Sequence, residues 1–115
     1  MNTFTDIQAV YLHRDFVDFR KTINCLVVIV EQEMELSPFD DALFIFRNKT
    51  RDKLKILYWD KTGFALRYKR LDEDRFKWPR HVSTDTLPLS KQQLILLLQG
   101  FDVMGHNPVH YQTTL

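Results

Sequence analysis

From Phe19 onward the apolar positions Phe19, Ile23, Leu26, Val27, Val30 and Met34 recur in steps of three and four. This spacing predicts a helix over 18–36, about four turns of it with one stripe turned to a core. Asp18 offers a cap at its start and Pro38 a stop at its end. The β-branched run "VVIV" is poor for an isolated helix, so burial must hold this one. Ahead of it, "AVYL" (9–12) reads as a short strand. "ALFIFRN" (42–48) is apolar on both faces, as a central strand covered on both sides is. In "KLKILYWD" (53–60) Leu54, Ile56 and Tyr58 alternate with Lys53, Lys55, Leu57 and Trp59. In "GFALRYKRL" (63–71) Phe64, Leu66 and Tyr68 alternate with Ala65, Arg67 and Lys69. Joined through "DKTG", with Gly63 at a positive φ, these two predict a hairpin, and with 42–48 a three-stranded meander.

"RFKWPR" (75–80) reads as a short fourth strand ended by Pro79, and "HVSTDTLP" as a loop. Ser90 and Gln93 form a capping-box pattern ahead of "LILLL", which predicts a second helix over 90–99 closed by Gly100. The tail from about 103 has no periodicity and is expected to fray. The fold class is therefore α+β, an antiparallel meander of three to four strands packed by two helices on one face. The hairpin is expected to bury Ile56, Tyr58, Phe64, Leu66 and Tyr68 and to turn Lys55, Arg67 and Lys69 outward.

At 115 residues the chain has the size of one domain, 1–115, and 44% hydrophobic with 13% aromatic residues is a globular composition. The N-terminal residues lack the basic and apolar regions of a signal peptide, and the runs "CLVVIV" and "LILLL" are too short to cross a bilayer. A cytoplasmic protein with no membrane partner is expected. Its single cysteine, Cys25, lies in an apolar stretch and is expected to be a buried, inert thiol.

The net charge of +1 conceals a segregation. Residues 47–80 hold twelve Lys/Arg against five Asp/Glu, and the remainder holds four against ten. A basic middle with acidic flanks points to an anionic partner, nucleic acid first. The candidate nucleic-acid-binding residues are Arg20, Lys21, Arg47, Lys53, Lys55, Arg67, Lys69, Arg70, Arg75 and Lys77, with Trp59 and Trp78 as stacking or partner-binding aromatics. The alternative is that the lysines guard sheet edges, Trp59 packs under a helix, and Phe76 with Trp78, two apart on one face, belong to the core.

Catalytic candidates are thin. Asp40, Asp41, Asp60, Asp72, Glu73 and Asp74 offer carboxylates for a divalent metal, a loose nuclease pattern, but each reads as a turn or loop acid. His106 and His110 are separated by Pro108, which forbids the helix that would align them. No nucleophilic triad, phosphate-binding glycine loop or paired CxxC is present, so no catalytic residue, metal or cofactor is assigned.

The ordered elements "VYL", "VDFRKTI", "ALFIFRN", "DKLKILYWDKTGFALRYKRL" and "RFKWP", followed by "LILLLQGFD", closely resemble the TnpB-type accessory protein of the insertion sequence 66 family of bacterial transposons. The resemblance covers about residues 10 to 102. It implies a small cytoplasmic protein that accompanies a separate transposase and has no established catalytic role. The matching positions include Asp18, Arg20, Lys21, Arg47, Asn48, Lys55, Trp59, Asp60, Lys69, Arg70, Trp78 and Pro79. The chain departs from the family pattern with Phe16 in place of a proline, and with Cys25 and Asp41 in place of glycines. Three functions are thus carried forward: nucleic-acid binding at transposon ends through a basic sheet face, docking of the transposase or a sibling accessory protein through an aromatic patch, and a metal-dependent nuclease.

Overall fold

The computed structural model describes residues 9–73, 75–78 and 86–98. Strands β1 (Ala9–His13), β2 (Ala42–Arg47), β3 (Lys53–Trp59), β4 (Phe64–Arg70) and β5 (Thr86–Leu89) form one sheet in the order β4-β3-β2-β1-β5, with helices α1 (Ile23–Gln32) and α2 (Lys91–Leu98). The meander β2-β3-β4 is present as the alternation predicts. Two strands more than the meander complete the sheet, and it is mixed. β1 pairs parallel with β2, Leu12 opposite Ile45, and antiparallel with β5, Leu12 opposite Leu87. Parallel neighbours need a crossover, and α1 supplies it.

"TLPL", expected to lie in a loop, is the edge strand β5. Pro88 is tolerated there because an edge strand has one side on which a missing N–H disrupts no ladder. The segment 75–78, expected to be a strand, carries no ladder. It places Phe76 and Trp78 in the core and leaves Arg75 and Lys77 exposed. Pro79, Gly100, Asp74, the tail and the His106/His110 pair lie outside the described residues.

Both faces of the sheet are covered, which corrects the expectation of two helices on one side. Val10, Leu12, Leu43, Ile45, Leu54, Ile56 and Tyr58 pack with Leu94 and Leu97 of α2 and with Phe76 and Trp78. On the other face Phe44, Phe46 and Leu57 pack with Leu26 and Val30 of α1. β2 is fully buried from Ala42 to Phe46 for this reason. The α1 stripe is as its periodicity predicts, but the helix is shorter than 18–36. Asp18 does not cap it. Thr22 holds the N-cap position without a side-chain cap bond, and Asp18 instead accepts from the Arg20 backbone N–H at 2.9 Å. Cys25 is exposed, because Leu26 and Val30 take the sheet-facing side.

The capping box of α2 is formed. The Ser90 hydroxyl accepts from the Gln93 N–H at 3.0 Å, and the Gln93 carboxamide accepts from the Ser90 N–H at 2.9 Å. Ser90→Ala is expected to cost about 1 kcal/mol in urea unfolding, and a change too small to measure would show that packing alone sets this helix start.

The hairpin register overturns the expected outward face. Ile56 lies opposite Arg67, Leu57 opposite Leu66 and Trp59 opposite Phe64. Directly opposed residues share a face, so Phe64, Leu66 and Tyr68 sit with Leu57 and Lys55 on the α1 side. Arg67 and Lys69 sit with Ile56 and Leu54 on the α2 side. Lys55, Arg67 and Lys69 therefore do not form one surface. In the turn, Lys61 takes the positive φ of 56° expected of Gly63.

Candidate nucleic-acid interface

Because β1 and β2 are parallel, their carboxyl ends coincide at one edge of the fold, where β3 also starts and β4 ends, Lys53 opposite Arg70. In α/β units this edge is where connecting loops assemble sites. Here the segments 14–22, 48–52, 71–73 and 75–78 meet. The Val17 N–H donates to Arg47 O at 2.9 Å, Leu71 N–H to Asp52 O at 2.8 Å and Phe76 N–H to Arg51 O at 2.6 Å. The Arg75 guanidinium donates to Thr50 O at 2.9 Å.

Asn48 organises the β2–β3 loop. Its carboxamide donates to Asp52 at 2.7 Å and to Thr50 Oγ1 at 3.1 Å, and accepts from the Lys53 N–H at 3.1 Å. Arg51 completes the turn at a φ of 63°. A loop tied this fully presents Lys49, Arg51 and Lys53 from a fixed backbone rather than from a mobile one.

The acids of this edge are engaged locally. Asp18 binds the Arg20 guanidinium at 2.7 Å, and that contact, with the Arg20 backbone N–H, holds its carboxyl down to about 2. Asp15 is lowered by Arg14, and Asp52 by hydrogen bonds from Asn48 and Thr50. Asp72 pairs with Arg70 at 3.1 Å. Glu73 stays exposed. By contrast the side chains of Lys21, Lys49, Arg51 and Lys53 have no hydrogen bond or ion pair among the described residues.

Arg47 has a structural role as well as a charge. Its guanidinium lies 5.9 Å from the Phe16 ring centroid and 5.8 Å from that of Trp78, and donates to Arg14 O and Asn48 O, both at 3.4 Å. Burial, reinforced by nearby Arg51, lowers its pKa. Beside it His13, 2% exposed, places Nδ1 2.8 Å from Asp15 O and Nε2 3.0 Å from Glu33 Oε1. Both partners are acceptors, so the two bonds exist together only when both ring nitrogens carry hydrogen.

The sequence-derived candidates thus divide. Arg20, Lys21, Arg47, Lys53, Arg70, Arg75 and Lys77 gather at this loop edge, joined by Lys49 and Arg51, which pattern reading passed over because loop residues show no periodicity. Lys55 is committed to the fold: its ammonium donates to Phe19 O at 2.8 Å and lies 4.8 Å from the Phe19 ring centroid. Lys69 donates to Leu98 O at 2.6 Å, at the carboxyl end of α2 where a cation is favoured. Trp78, 5% exposed, donates its indole N–H to His13 O and Arg14 O at 3.1 Å each, and so offers no open ring. Trp59 lies at the opposite edge, packed edge-on to Phe39 and Phe64 at centroid distances of 5.0 and 4.9 Å.

Residues 8–107 match the family described as IS66 Orf2 like protein. The chain belongs to this family. IS66 Orf2-like proteins are accessory proteins associated with transposition. The chain is 36% identical over 86 residues to the uncharacterized protein y4jC of Sinorhizobium fredii (strain NBRC 101917 / NGR234), covering 75% of this chain and 73% of that one. It is 34% identical over 93 residues to the uncharacterized protein y4hO of the same strain, covering 81% and 80%. No solved structure matches it. Of this IS66 Orf2-like chain's departures from the family pattern, Asp41 is accommodated without strain, since the positive φ values among the described non-glycine residues fall at Glu35, Arg51 and Lys61. Phe16 lines a cleft of about 360 Å³ between residues 16–20 and 48–50.

Among the described residues, no three His, Cys, Asp or Glu side chains group to hold a metal, and no helix is long and apolar enough to cross a membrane.

Proposed function

We propose that this IS66 Orf2-like protein acts in the bacterial cytoplasm as a DNA-binding accessory factor of transposition. It meets the backbone of the transposon ends with the loop edge of the sheet rather than with a sheet face. The observation that carries this reading is the set of unpaired cations Lys21, Lys49, Arg51 and Lys53 on an edge where Asp15, Asp18, Asp52 and Asp72 are already held by neighbouring groups. Lys21 and Lys49 are exposed and Arg51 and Lys53 half-buried. Unpaired cations on a tied backbone displace the counterions of a phosphate backbone without first breaking hydrogen bonds or ion pairs of their own. The role is non-catalytic. Asp60 and the Asp40/Asp41 pair lie at the opposite end of the strands from Asp72 and Glu73, and among the described residues no three of these carboxylates group to hold a metal ion.

The test is fluorescence anisotropy with labelled duplex carrying a transposon end. Lys49/Arg51/Lys53→Ala is expected to lose most of the binding, and Lys69→Ala, whose ammonium is bound to Leu98 O, to keep it. Equal binding by the triple variant and the wild type would overturn the assignment of this edge.

A second reading is favoured by the other end of the molecule. Phe39 is 56% exposed beside Trp59 and Phe64, with exposed Asp40, Asp41 and Asp60 around it. An aromatic patch rimmed by acids suits a basic protein segment, such as one on the transposase. Phe39→Ala is expected to weaken capture of the purified transposase and to leave DNA affinity unchanged; the reverse pattern would remove this surface from the account.

A further inference from the structure

Phe16 is 49% exposed although it flanks the best-tied part of the fold. The next residue, Val17, is buried and its N–H is bonded to Arg47 O, so the ring is held in place rather than left on a loose tip. The Arg47 guanidinium and the Lys49 ammonium lie 5.9 and 6.0 Å from its centroid. The cleft beside it runs between Phe16 and Lys49 and contains one carboxylate, Asp18, already paired with Arg20. A half-exposed ring with two cations over it, and no free acid in the cleft, suits a ligand that has both a π-face and negative charge, one that stacks on the exposed part of the ring and draws the cations to its phosphates. A nucleotide has both. A base inside a duplex is stacked on both sides and cannot present its face to a side chain, whereas an unpaired base can.

We propose that this cleft seats one unpaired nucleobase of a single strand or strand end, stacked on Phe16, with Lys49 and the solvent-open side of Arg20 on the adjoining phosphates. This rests on the DNA-binding reading above and adds to it a preference for DNA with an unpaired end. Such a preference fits a step in which strands at an element's ends are cut or opened.

The experiment compares a blunt duplex with the same duplex carrying a short single-stranded overhang that contains 2-aminopurine. Wild type is expected to bind the overhang form roughly tenfold tighter than the blunt form and to quench the 2-aminopurine on binding. Phe16→Ala and Phe16→Leu are expected to lose both effects while keeping the affinity for blunt duplex, and Phe16→Trp to retain both. Circular dichroism confirms folding of each variant. Equal affinity of wild type for the two forms overturns the inference and leaves the duplex reading standing, as does an overhang preference that survives in Phe16→Leu. Failure of wild type to bind either form overturns both.

Discussion

Raising the salt from about 50 to about 200 mM is expected to lower the affinity of the wild-type protein for duplex DNA roughly a thousandfold, if about six phosphates are contacted. The loop edge can supply that number: Lys21, Lys49, Arg51 and Lys53 are unpaired, and exposed Arg20 and Lys77 lie on the adjoining segments. Each phosphate neutralised contributes about 0.9 to the slope of log affinity against log salt, so Lys49/Arg51/Lys53→Ala should reduce that slope by nearly three. Over the same salt interval the variant should then lose only about fortyfold. Lys69→Ala should leave the slope unchanged, since its ammonium is bound to Leu98 O. A slope near zero in the wild type would instead indicate apolar contact and transfer the binding role to the aromatic edge, because burial of apolar surface responds weakly to salt in this range.

Trp78→Ala is expected to destabilise the fold by about 3–5 kcal/mol, measured by urea unfolding. The side chain is 5% exposed and packs in the core beneath α2. Its removal leaves a cavity, takes the indole N–H from His13 O and Arg14 O, and strips one of the two rings from Arg47. Against a typical total of about 5–15 kcal/mol, that loss is a large fraction. Trp59→Ala should cost clearly less, since Trp59 is only half-buried and its neighbour Phe39 already faces solvent. Comparable losses for the two tryptophans would contradict the assignment of one to the core and the other to the surface. The comparison also bears on function, because a stacking role for Trp78 would require an open ring that this packing denies.

The parts of the fold legible in the sequence are those set by short-range chemistry. The α1 stripe, the Ser90/Gln93 box and the alternation of β3 and β4 depend on residues within a few positions of one another. "ALFIF" likewise announced burial on both sides. Seven of the ten candidate cations, Arg20 and Lys21 together with Arg47, Lys53, Arg70, Arg75 and Lys77 of the basic middle, gather at one edge. Besides β5 and the segment 75–78, what failed was the relation between strands. Alternation divides each strand into two faces but does not say which face of β3 continues into which face of β4. The connection from Trp59 to Phe64 places even-numbered residues opposite odd-numbered ones, and this alone moved Arg67 and Lys69 to the side opposite Lys55.

The sequence by itself therefore determined the two helices, the strands β1 to β4, the family and a surplus of cations in the middle of the chain, because periodicity, caps and composition are local or additive; the edge strand β5 and the ladder-free segment 75–78 it did not. Only the tertiary structure decided that β1 runs parallel beside β2, that the helices cover opposite faces, and which cations remain unpaired. Those outcomes depend on long-range pairing and on side-chain partners as distant as Lys69 and Leu98 or Arg47 and Arg14. A charge's availability to a ligand is what remains after the fold has used it, and no one-dimensional pattern records that remainder.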